Sequence, residues 1–248
     1  MKPQHTLLNS YPMSTISSKY KHIIWDWNGT LLDDSWLCVD VMDGLLTRRN
    51  MPGLTLKRYQ KVFDFPVIDY YRRLGFDFEK ESFEVSGTEF IVGYEKRRHE
   101  IQLQPDAKNT LEKVSKMGIT QSLLSAYKQK TLEELMDYLA VRQFFIKVIG
   151  LDDHYAHSKI ESGIQWMAEL LSGSECVSSS DESTPRKSQG YSTGEVLFVG
   201  DTRHDHEVAE AMGIDCVLIP SGHHTREKLE NCGVPLLDSL KDVVVFVR

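Results

Sequence analysis

Cysteine is scarce and widely spaced in this chain. The 248 residues contain four cysteines, and none of them forms a CxxC pair. Disulfide frameworks and structural zinc sites both need closely spaced cysteines, so we expect neither of them and predict reduced thiols. The four positions are Cys38, Cys176, Cys216 and Cys232.

Long apolar runs are also missing. No stretch approaches the roughly 18 consecutive apolar residues of a membrane-spanning helix. Residues 1–20 are mostly polar and rich in Ser and Thr, without the apolar segment of a signal peptide, and are predicted to form a flexible tail. We therefore expect a cytoplasmic protein with no membrane partner.

Positive charge is not in excess. The chain has 29 Lys and Arg against 36 Asp and Glu, which gives a net charge of −7 at pH 7. Phosphate backbones favour basic surfaces, so nucleic acid is not an expected partner. The hydrophobic content of 41% is ordinary for a globular protein with a sizeable core. The length suits one large domain or a core with a smaller inserted domain, in a monomer or a homodimer.

Strand and helix patterns alternate in most of the chain. Short runs of β-branched and aromatic residues are followed by longer amphipathic segments, which predicts βα units. Such units form an α/β fold with a Rossmann-like parallel sheet between helices, here built from residues 21–34 and 105–248. Leu240–Val247 fits a strand or a closing helix equally well. The predicted strands are Lys21–Asp26, Ile119–Ser125, Phe145–Gly150, Glu195–Asp201 and Ile214–Ile219, and the helices between them are predicted to begin near Asp106, Gln129, Ser158 and His206.

Two regions depart from this alternation. Residues 35–104 have helical patterns at Trp36–Arg49, Leu56–Phe65 and Phe83–Glu100, which predicts an all-helical cap inserted into the core. This region is also rich in Lys and Arg. Residues 172–194 are rich in Ser and have too few apolar side chains to offset the entropy of ordering, so they are predicted to form a flexible loop within the core.

Polar side chains stand at the carboxyl ends of three predicted strands. They are Asp26, Ser125 and Asp201, and Lys159 stands near the start of a predicted helix. Ligands of open parallel sheets bind in the crevice beyond those strand ends, so the four residues are expected to meet there. A transferred phosphoryl group carries negative charge on its oxygens and needs cations and hydrogen-bond donors. The set therefore indicates phosphoryl transfer.

A metal ion is expected in this site. Asp26 is an anion, and it cannot approach a phosphate as a nucleophile until their repulsion is neutralised. Mg²⁺ held by Asp26 and Asp201 would neutralise it, with Asp205 as a second carboxylate on the metal side. The groups expected to bind the phosphate are Lys159, the Ser125 hydroxyl and the amides of the Trp27–Thr30 turn, including Gly29 and Thr30.

Four motifs in this order resemble those of the haloacid dehalogenase-like superfamily. Within it, the chain is most similar to the phosphoglycolate phosphatase-like hydrolases, whose helical cap is inserted between the first and second motifs. The motifs are DWNGTLLDD at Asp26–Asp34, LS at Leu124–Ser125, HSK at His157–Lys159 and GDTRHD at Gly200–Asp205.

The resemblance implies an activity and a role for each residue. It implies a Mg²⁺-dependent phosphatase that acts on a small phosphorylated metabolite through an aspartyl-phosphate on Asp26. Ser125 and Lys159 would bind the phosphate. The expected metal ligands are Asp26, the backbone carbonyl of Asn28, Asp201 and Asp205.

Asn28 departs from the pattern of these phosphatases. They have an Asp two residues after the nucleophile, and it protonates the leaving oxygen and later deprotonates the attacking water. An amide cannot exchange protons in this way at neutral pH. General acid–base assistance is worth about 10²–10⁴ in rate, so the reaction should be weakened, most of all for poor leaving groups.

Three functions remain open at this stage. The first is a slow or selective phosphatase, which we favour because the remaining machinery is complete. The second is a phosphonate-cleaving enzyme that uses a cap lysine such as Lys57 or Lys61 as a Schiff base. The third is a catalytically weak protein that binds a phosphorylated ligand or regulates through it.

Two further features have competing interpretations. The cations of the cap suit a second anionic group on the substrate, such as the carboxylate of phosphoglycolate, but solvated surface charges explain them equally well. Histidines near the C-terminal motifs suggest a transition-metal site, yet surface or hydrogen-bonded histidines are the better interpretation. These are His204, His206, His223 and His224.

Overall fold

A computed structural model describes residues 18–151, 159–173 and 190–248. The predicted tail, apart from its last three residues, lies outside the described residues, as do His157, Ser158 and most of the predicted Ser-rich loop. Among the described residues, no helix combines the length and apolar character needed to cross a membrane.

Five parallel strands form the central sheet, in the order β5-β4-β1-β6-β7. A separate antiparallel pair, β2 and β3, joins the core to a helical insertion. The strands are β1 (His22–Trp25), β2 (Leu32–Asp33), β3 (Gln102–Leu103), β4 (Thr120–Lys128), β5 (Lys147–Leu151), β6 (Val196–Gly200) and β7 (Asp215–Leu218).

Helices connect these strands and form the insertion between β2 and β3. Single 3₁₀ turns occur at Arg98–Glu100, Arg142–Phe144 and Thr193–Glu195. The helices of the insertion are α1 (Ser35–Arg48), α2 (Leu56–Val62), α3 (Val67–Leu74) and α4 (Phe83–Arg97). Those of the core are α5 (Ala107–Lys116), α6 (Gln129–Tyr138), α7 (Lys159–Ser172), α8 (Arg203–Met212), α9 (Arg226–Glu230) and α10 (Leu240–Phe246).

Both faces of the sheet are covered by helices. Ile23 and Trp25 of β1 point to one face, where they join the apolar side chains of α5, α6 and α10. Ile24 points to the other face, toward α7 and α8. Alternate burial on two apolar faces is expected for a strand inside a parallel sheet. The predicted α/β fold class is confirmed.

The C-terminal segment is a helix and not a strand. Leu240, Val243 and Val244 are buried, a three- and four-residue spacing that suits one face of a helix, and α10 packs against α5. The β-branched composition of this segment favours a strand locally. Packing of its apolar side onto the core prevails over that preference.

Two element boundaries differ from the predictions. β4 continues to Lys128, so Ser125 lies inside the strand, at the point where its regular pairing with β5 is interrupted. α8 begins at Arg203, because the Thr202 hydroxyl and the Asp205 carboxylate cap its first turn reciprocally. The predicted start at His206 was therefore wrong. The proposed limits of the cap at residues 35 and 104 stay a prediction.

A buried histidine stands at the start of β1. His22 is fully buried, with Nδ1 2.7 Å from the Thr120 hydroxyl and Nε2 2.7 Å from the Ser122 hydroxyl. Burial lowers the pKa of His22 to about 3. The ring is therefore neutral in the folded protein throughout the range in which an exposed histidine gains its charge.

This histidine should make folding sensitive to acid. Below its ordinary pKa of 6.5 the unfolded chain binds a proton at His22, and the folded protein does so only near pH 3, so stability falls as pH falls between these values. From pH 7 to pH 5 the free energy of unfolding should decrease by about 2 kcal/mol through this group. Urea denaturation of His22→Gln at pH 7 and pH 5 should show a smaller decrease in the free energy of unfolding than in the unaltered protein.

The matched control is His99→Gln, at an exposed position. It should keep the pH dependence of the unaltered protein. The same pH dependence in His22→Gln and in the unaltered protein would contradict the assignment.

Candidate active site

Asp26 stands at the centre of the sheet edge where the carboxyl ends of the strands meet. It follows β1, which lies between β4 and β6, and its backbone N–H donates to the Val199 carbonyl at 2.9 Å. The chain builds β4 and β5 on one side of β1 and β6 and β7 on the other. This reversal of strand order opens the crevice in which α/β proteins bind ligands.

Lys159 links two carboxylates in this crevice. From the first residue of α7, its ammonium lies 2.5 Å from Asp26 Oδ1 and 2.5 Å from Asp205 Oδ1. All three residues are buried. Burial alone would lower the pKa of Lys159, but Asp205 and Asp26 raise it above its ordinary value. The site thus holds a fixed positive charge directly on an oxygen of Asp26.

Asp201 follows β6 and is held from two sides. Its Oδ1 accepts a hydrogen bond from the Thr30 hydroxyl at 2.9 Å, and its Oδ2 accepts one from the His223 backbone N–H at 2.6 Å. Gly29, with φ of +78°, lies against this carboxylate, and a Cβ there would overlap both Asp201 and the His223 ring. The Asn-Gly turn is therefore required by backbone conformation and by space.

The two carboxylate oxygens of Asp205 have different partners. Oδ1 faces Lys159, and Oδ2 accepts from the Asp201 and Thr202 backbone N–H groups and from the Thr202 hydroxyl, at 3.1, 2.9 and 2.7 Å. The carboxylate therefore caps α8 and orients the lysine at the same time. Lys159 and Thr202 hold its pKa below the ordinary value although burial acts to raise it.

The acidic cluster carries more negative charge than its lysine balances. Oxygens of Asp26, Asp201 and Asp205 lie within 4.8 Å of one another. Three carboxylates and one ammonium sum formally to −2. Burial, with Asp205 nearby, raises the pKa of Asp26 to about 6, and burial raises the pKa of Asp201 well above its ordinary value. A divalent cation that prefers carboxylate oxygens would relieve this charge, so the donor set fits Mg²⁺.

Two groups of the Trp27–Thr30 turn have partners within the protein. The Gly29 N–H donates to Asp34 Oδ1 and to the Leu32 carbonyl, both at 2.9 Å. The Thr30 hydroxyl is buried and donates to Asp201. Both groups therefore help to position the acids of the site, and phosphate binding by the amides of this turn stays a prediction.

Asn28 has its amide orientation fixed by its neighbours. Nδ2 donates to Asp34 Oδ2 at 2.9 Å and to the Tyr94 hydroxyl at 3.1 Å. An ionised carboxylate only accepts hydrogen bonds, so this network places the NH₂ group toward Asp34. The oxygen of the amide faces Ser125, whose hydroxyl donates to it at 3.4 Å. On that side Asn28 can accept a hydrogen bond from water but has no proton to give to a leaving group.

Asp34 is the residue of the site that sequence reasoning missed. It is 1% exposed, and it accepts from Asn28, from the Gly29 N–H and from the Tyr94 hydroxyl, the last at 2.8 Å. His223 Nε2 lies 3.3 Å from its Oδ1. Burial acts against the charge of both groups, yet their pairing lowers the pKa of Asp34 and raises that of His223 to about 9. They form a buried ion pair beside Asn28.

The histidines do not form a transition-metal site in the described part of the chain, where the metal-capable cluster is the three aspartates. A surface location was wrong for His223 and His224, which are buried, and the hydrogen-bonded interpretation was right. His223 Nδ1 lies 2.7 Å from the Tyr59 hydroxyl, and His224 Nδ1 accepts from the Arg203 backbone N–H at 3.0 Å. Burial lowers the pKa of His224 to about 4.

A cavity of about 240 Å³ lies between this cluster and the helical insertion. Asp26, Ser125 and Lys159 line it together with aromatic side chains of the insertion. Lys57 and Lys61 are exposed and do not line it. The Schiff-base interpretation therefore has no lysine of the insertion at the cavity within the residues that the structure describes.

Comparison with known proteins identifies a family and similar sequences. Residues 23–219 match the model of the haloacid dehalogenase-like hydrolase family. The chain is 25% identical over 235 residues to a phosphoglycolate phosphatase of Pseudomonas savastanoi pv. phaseolicola, covering 90% of this chain and 78% of that protein. It is 23% identical over 232 residues to a phosphoglycolate phosphatase of Aliivibrio fischeri, covering 90% of this chain and 91% of that protein.

A solved structure shares the fold at low sequence identity. A haloacid dehalogenase-like family protein from Streptococcus pneumoniae superimposes with a TM-score of 0.71 at 17% identity, covering 93% of this chain and 99% of that one. The resemblance inferred from the four motifs is thereby confirmed, including the similarity to the phosphoglycolate phosphatase-like branch. The match of the family model over most of the chain, together with this shared fold, means that the protein belongs to the haloacid dehalogenase-like hydrolase family.

Proposed function

We propose that the protein is a Mg²⁺-dependent phosphatase that hydrolyses a small phosphate monoester through an aspartyl-phosphate on Asp26. The observation that carries this proposal is the contact of Lys159 with Asp26 inside a buried cluster of three carboxylates, at the strand-order reversal of the sheet. Membership of a hydrolase family and relatives named phosphoglycolate phosphatase support it.

The residues divide the reaction between them. Asp26 attacks phosphorus and expels the leaving oxygen, and water then hydrolyses the acyl phosphate and restores the carboxylate. Lys159 stabilises negative charge on the phosphoryl oxygens, and the Ser125 hydroxyl is positioned beside them as a donor. Asp26, Asp201 and the Asn28 carbonyl would hold Mg²⁺, with Asp205 as a further carboxylate of the cluster. The metal would neutralise the charge between nucleophile and phosphate.

Asn28 sets the limit of this chemistry. The leaving oxygen departs without a proton from the side chain two residues after the nucleophile, because an amide does not ionise at neutral pH. The NH₂ group of Asn28 also points away from that oxygen, toward Asp34 and Tyr94. The rate of hydrolysis falls little for esters whose leaving groups are stable as anions, and it falls most for esters that release an alkoxide. The proposed enzyme is therefore selective for acidic leaving groups.

The metal site can be tested without turnover. Mg²⁺ at about 100 times its dissociation constant should stabilise the protein by roughly 2.7 kcal/mol, which raises the thermal midpoint by about 5–10 °C. Asp201→Asn should lose this response, and without Mg²⁺ it should unfold at the same or a higher temperature, because one buried negative charge is gone. Asp137→Asn, at an exposed position of α6, is the control and should keep the response. An undiminished Mg²⁺ effect in Asp201→Asn would place the metal elsewhere.

Catalysis by Asp26 and the leaving-group effect are tested with aryl and alkyl phosphates. Purified protein with Mg²⁺ should hydrolyse phenyl phosphate far faster than ethyl phosphate, and Asp26→Asn should hydrolyse neither. Asn28→Asp should reduce the ratio of the rate on phenyl phosphate to the rate on ethyl phosphate by about tenfold or more, because a carboxyl group can supply the proton. Equal rates on both esters in the unaltered protein would contradict the role given to Asn28.

The pairing of Asn28 with Asp34 offers a matched control. Asn28→Asp alone puts two carboxyl groups about 3 Å apart, where they repel each other. The double variant Asn28→Asp/Asp34→Asn keeps one amide and one carboxylate but exchanges their positions. The double variant should reduce the ratio of the aryl phosphate rate to the alkyl phosphate rate, as Asn28→Asp does. Asp34→Asn alone should leave that ratio unchanged. No turnover of any ester, together with tight Mg²⁺-dependent binding of a phosphorylated compound, would favour a binding protein instead.

A further inference from the structure

Aromatic and aliphatic side chains of the helical insertion line the active-site cavity, and one of them, Tyr70, carries a buried hydroxyl without a hydrogen-bond partner in the described residues. Rings from the α2–α3 region and from α4 face the cavity together with two aliphatic residues. We call this surface the aromatic wall and define it as Phe63, Phe65, Val67, Tyr70, Phe90 and Ile91.

The aromatic wall is a packed structure. The Phe63 ring contacts those of Phe65 and Tyr70 edge-on, with centroids 5.5 and 5.2 Å apart. Phe65 also packs on the His204 ring, with centroids 4.6 Å apart. Edge-to-face contacts of this kind fix the rings against one another, so the wall presents a preformed apolar surface to the cavity.

No Lys or Arg belongs to this surface. Within the described part of the chain, Lys159 is the one Lys or Arg that lines the cavity, and His223, which also lines it, is paired with Asp34. Two arginines of the insertion are paired with glutamates: Arg49 with Glu81 and Glu89, and Arg98 with Glu95 and Glu134, each pair at 2.7 Å. The acid that α4 contributes to the cavity lining is Glu95, and it is thus already paired with Arg98.

A second anion on the substrate would therefore be poorly placed. The carboxylate of a phosphoglycolate-like molecule would lose its water against aromatic rings, and the cations nearby are already paired, His223 with Asp34 and Arg98 with Glu95. An apolar group would instead gain from leaving water. The volume is adequate, since an apolar cavity of about 150 Å³ accommodates benzene.

We propose that the substrate is a phosphate monoester of an uncharged, apolar alcohol or phenol carrying a single ring, which the aromatic wall binds, and that phosphoglycolate-like substrates are discriminated against. This inference rests on the proposed phosphatase activity. Asn28 supports it independently, because phenols are among the leaving groups that depart without a proton donor.

The test separates binding by the wall from leaving-group acidity. Benzyl phosphate and 2-phosphoglycolate both release an alkoxide. The difference between their kcat/KM values therefore reports which of the two groups the aromatic wall binds better. With Mg²⁺, kcat/KM for benzyl phosphate should exceed that for 2-phosphoglycolate by at least about tenfold, which corresponds to about 1.4 kcal/mol. An equal or higher kcat/KM for 2-phosphoglycolate would overturn the inference and leave the phosphatase proposal standing.

Two neighbouring residues of α4 give a matched pair of variants. Ile91→Arg puts a cation into the aromatic wall, whereas Val92→Arg makes the same charge change at a side chain that is 61% exposed. Ile91→Arg should shift the ratio of the two kcat/KM values toward 2-phosphoglycolate by about tenfold or more. Val92→Arg should leave the ratio unchanged. An unchanged ratio in Ile91→Arg, with its circular dichroism spectrum intact, would contradict the assignment.

A binding measurement keeps the two proposals apart. If the unaltered protein with Mg²⁺ turned over none of phenyl phosphate, benzyl phosphate and 2-phosphoglycolate, the proposed function would fail. Calorimetric titration with benzylphosphonate and phosphonoacetate would still test the wall. Tighter binding of benzylphosphonate would support the recognition of an apolar group, and tighter binding of phosphonoacetate would overturn it.

Discussion

The ammonium of Lys159, shared between Asp26 and Asp205, is the interaction on which the rest of the site depends. It joins the end of β1, the start of α7 and the first turn of α8, segments far apart in the chain. Three carboxylates are buried around it, and removal of one partner from a buried ion pair typically costs about 3–5 kcal/mol. The positive charge of Lys159, which stabilises the buried carboxylates in the folded protein, also contacts the carboxylate that we propose attacks phosphorus. Stability and catalysis therefore share one group here.

The Asn28–Asp34 pair extends this electrostatic arrangement toward the insertion. Asp34 holds the amide of Asn28, caps the Gly29 N–H, and binds Tyr94 of α4 and His223 of the C-terminal half. A second carboxylate at position 28 would face Asp34 directly, and an amide avoids that repulsion. Asn28, which would limit proton transfer in the proposed reaction, thus also allows a buried aspartate to join the core to the helical insertion.

The strand ends could be predicted from the sequence and the Asp34 cluster could not. Asp26 and Asp201 follow short buried strands, and that local pattern suffices to bring them to one edge of a parallel sheet. Asp34 stands in the same motif, but its partners Tyr94 and His223 are distant in sequence, so no local spacing indicates the contact. The C-terminal helix shows the same limit, because its β-branched run is overridden by packing against α5.

The charges of the insertion illustrate why composition misleads about a binding surface. Its many Lys and Arg suggest affinity for an anion, but a count of cations does not tell which side of a helix they occupy. Arg49 and Arg98 are engaged with glutamates, and the rings between them in sequence face the cavity. Charges that are already paired contribute little to binding an anion, whereas burial of an apolar group against these rings is favourable. The proposed substrate preference thus depends on the apolar residues of the insertion and not on its Lys and Arg content.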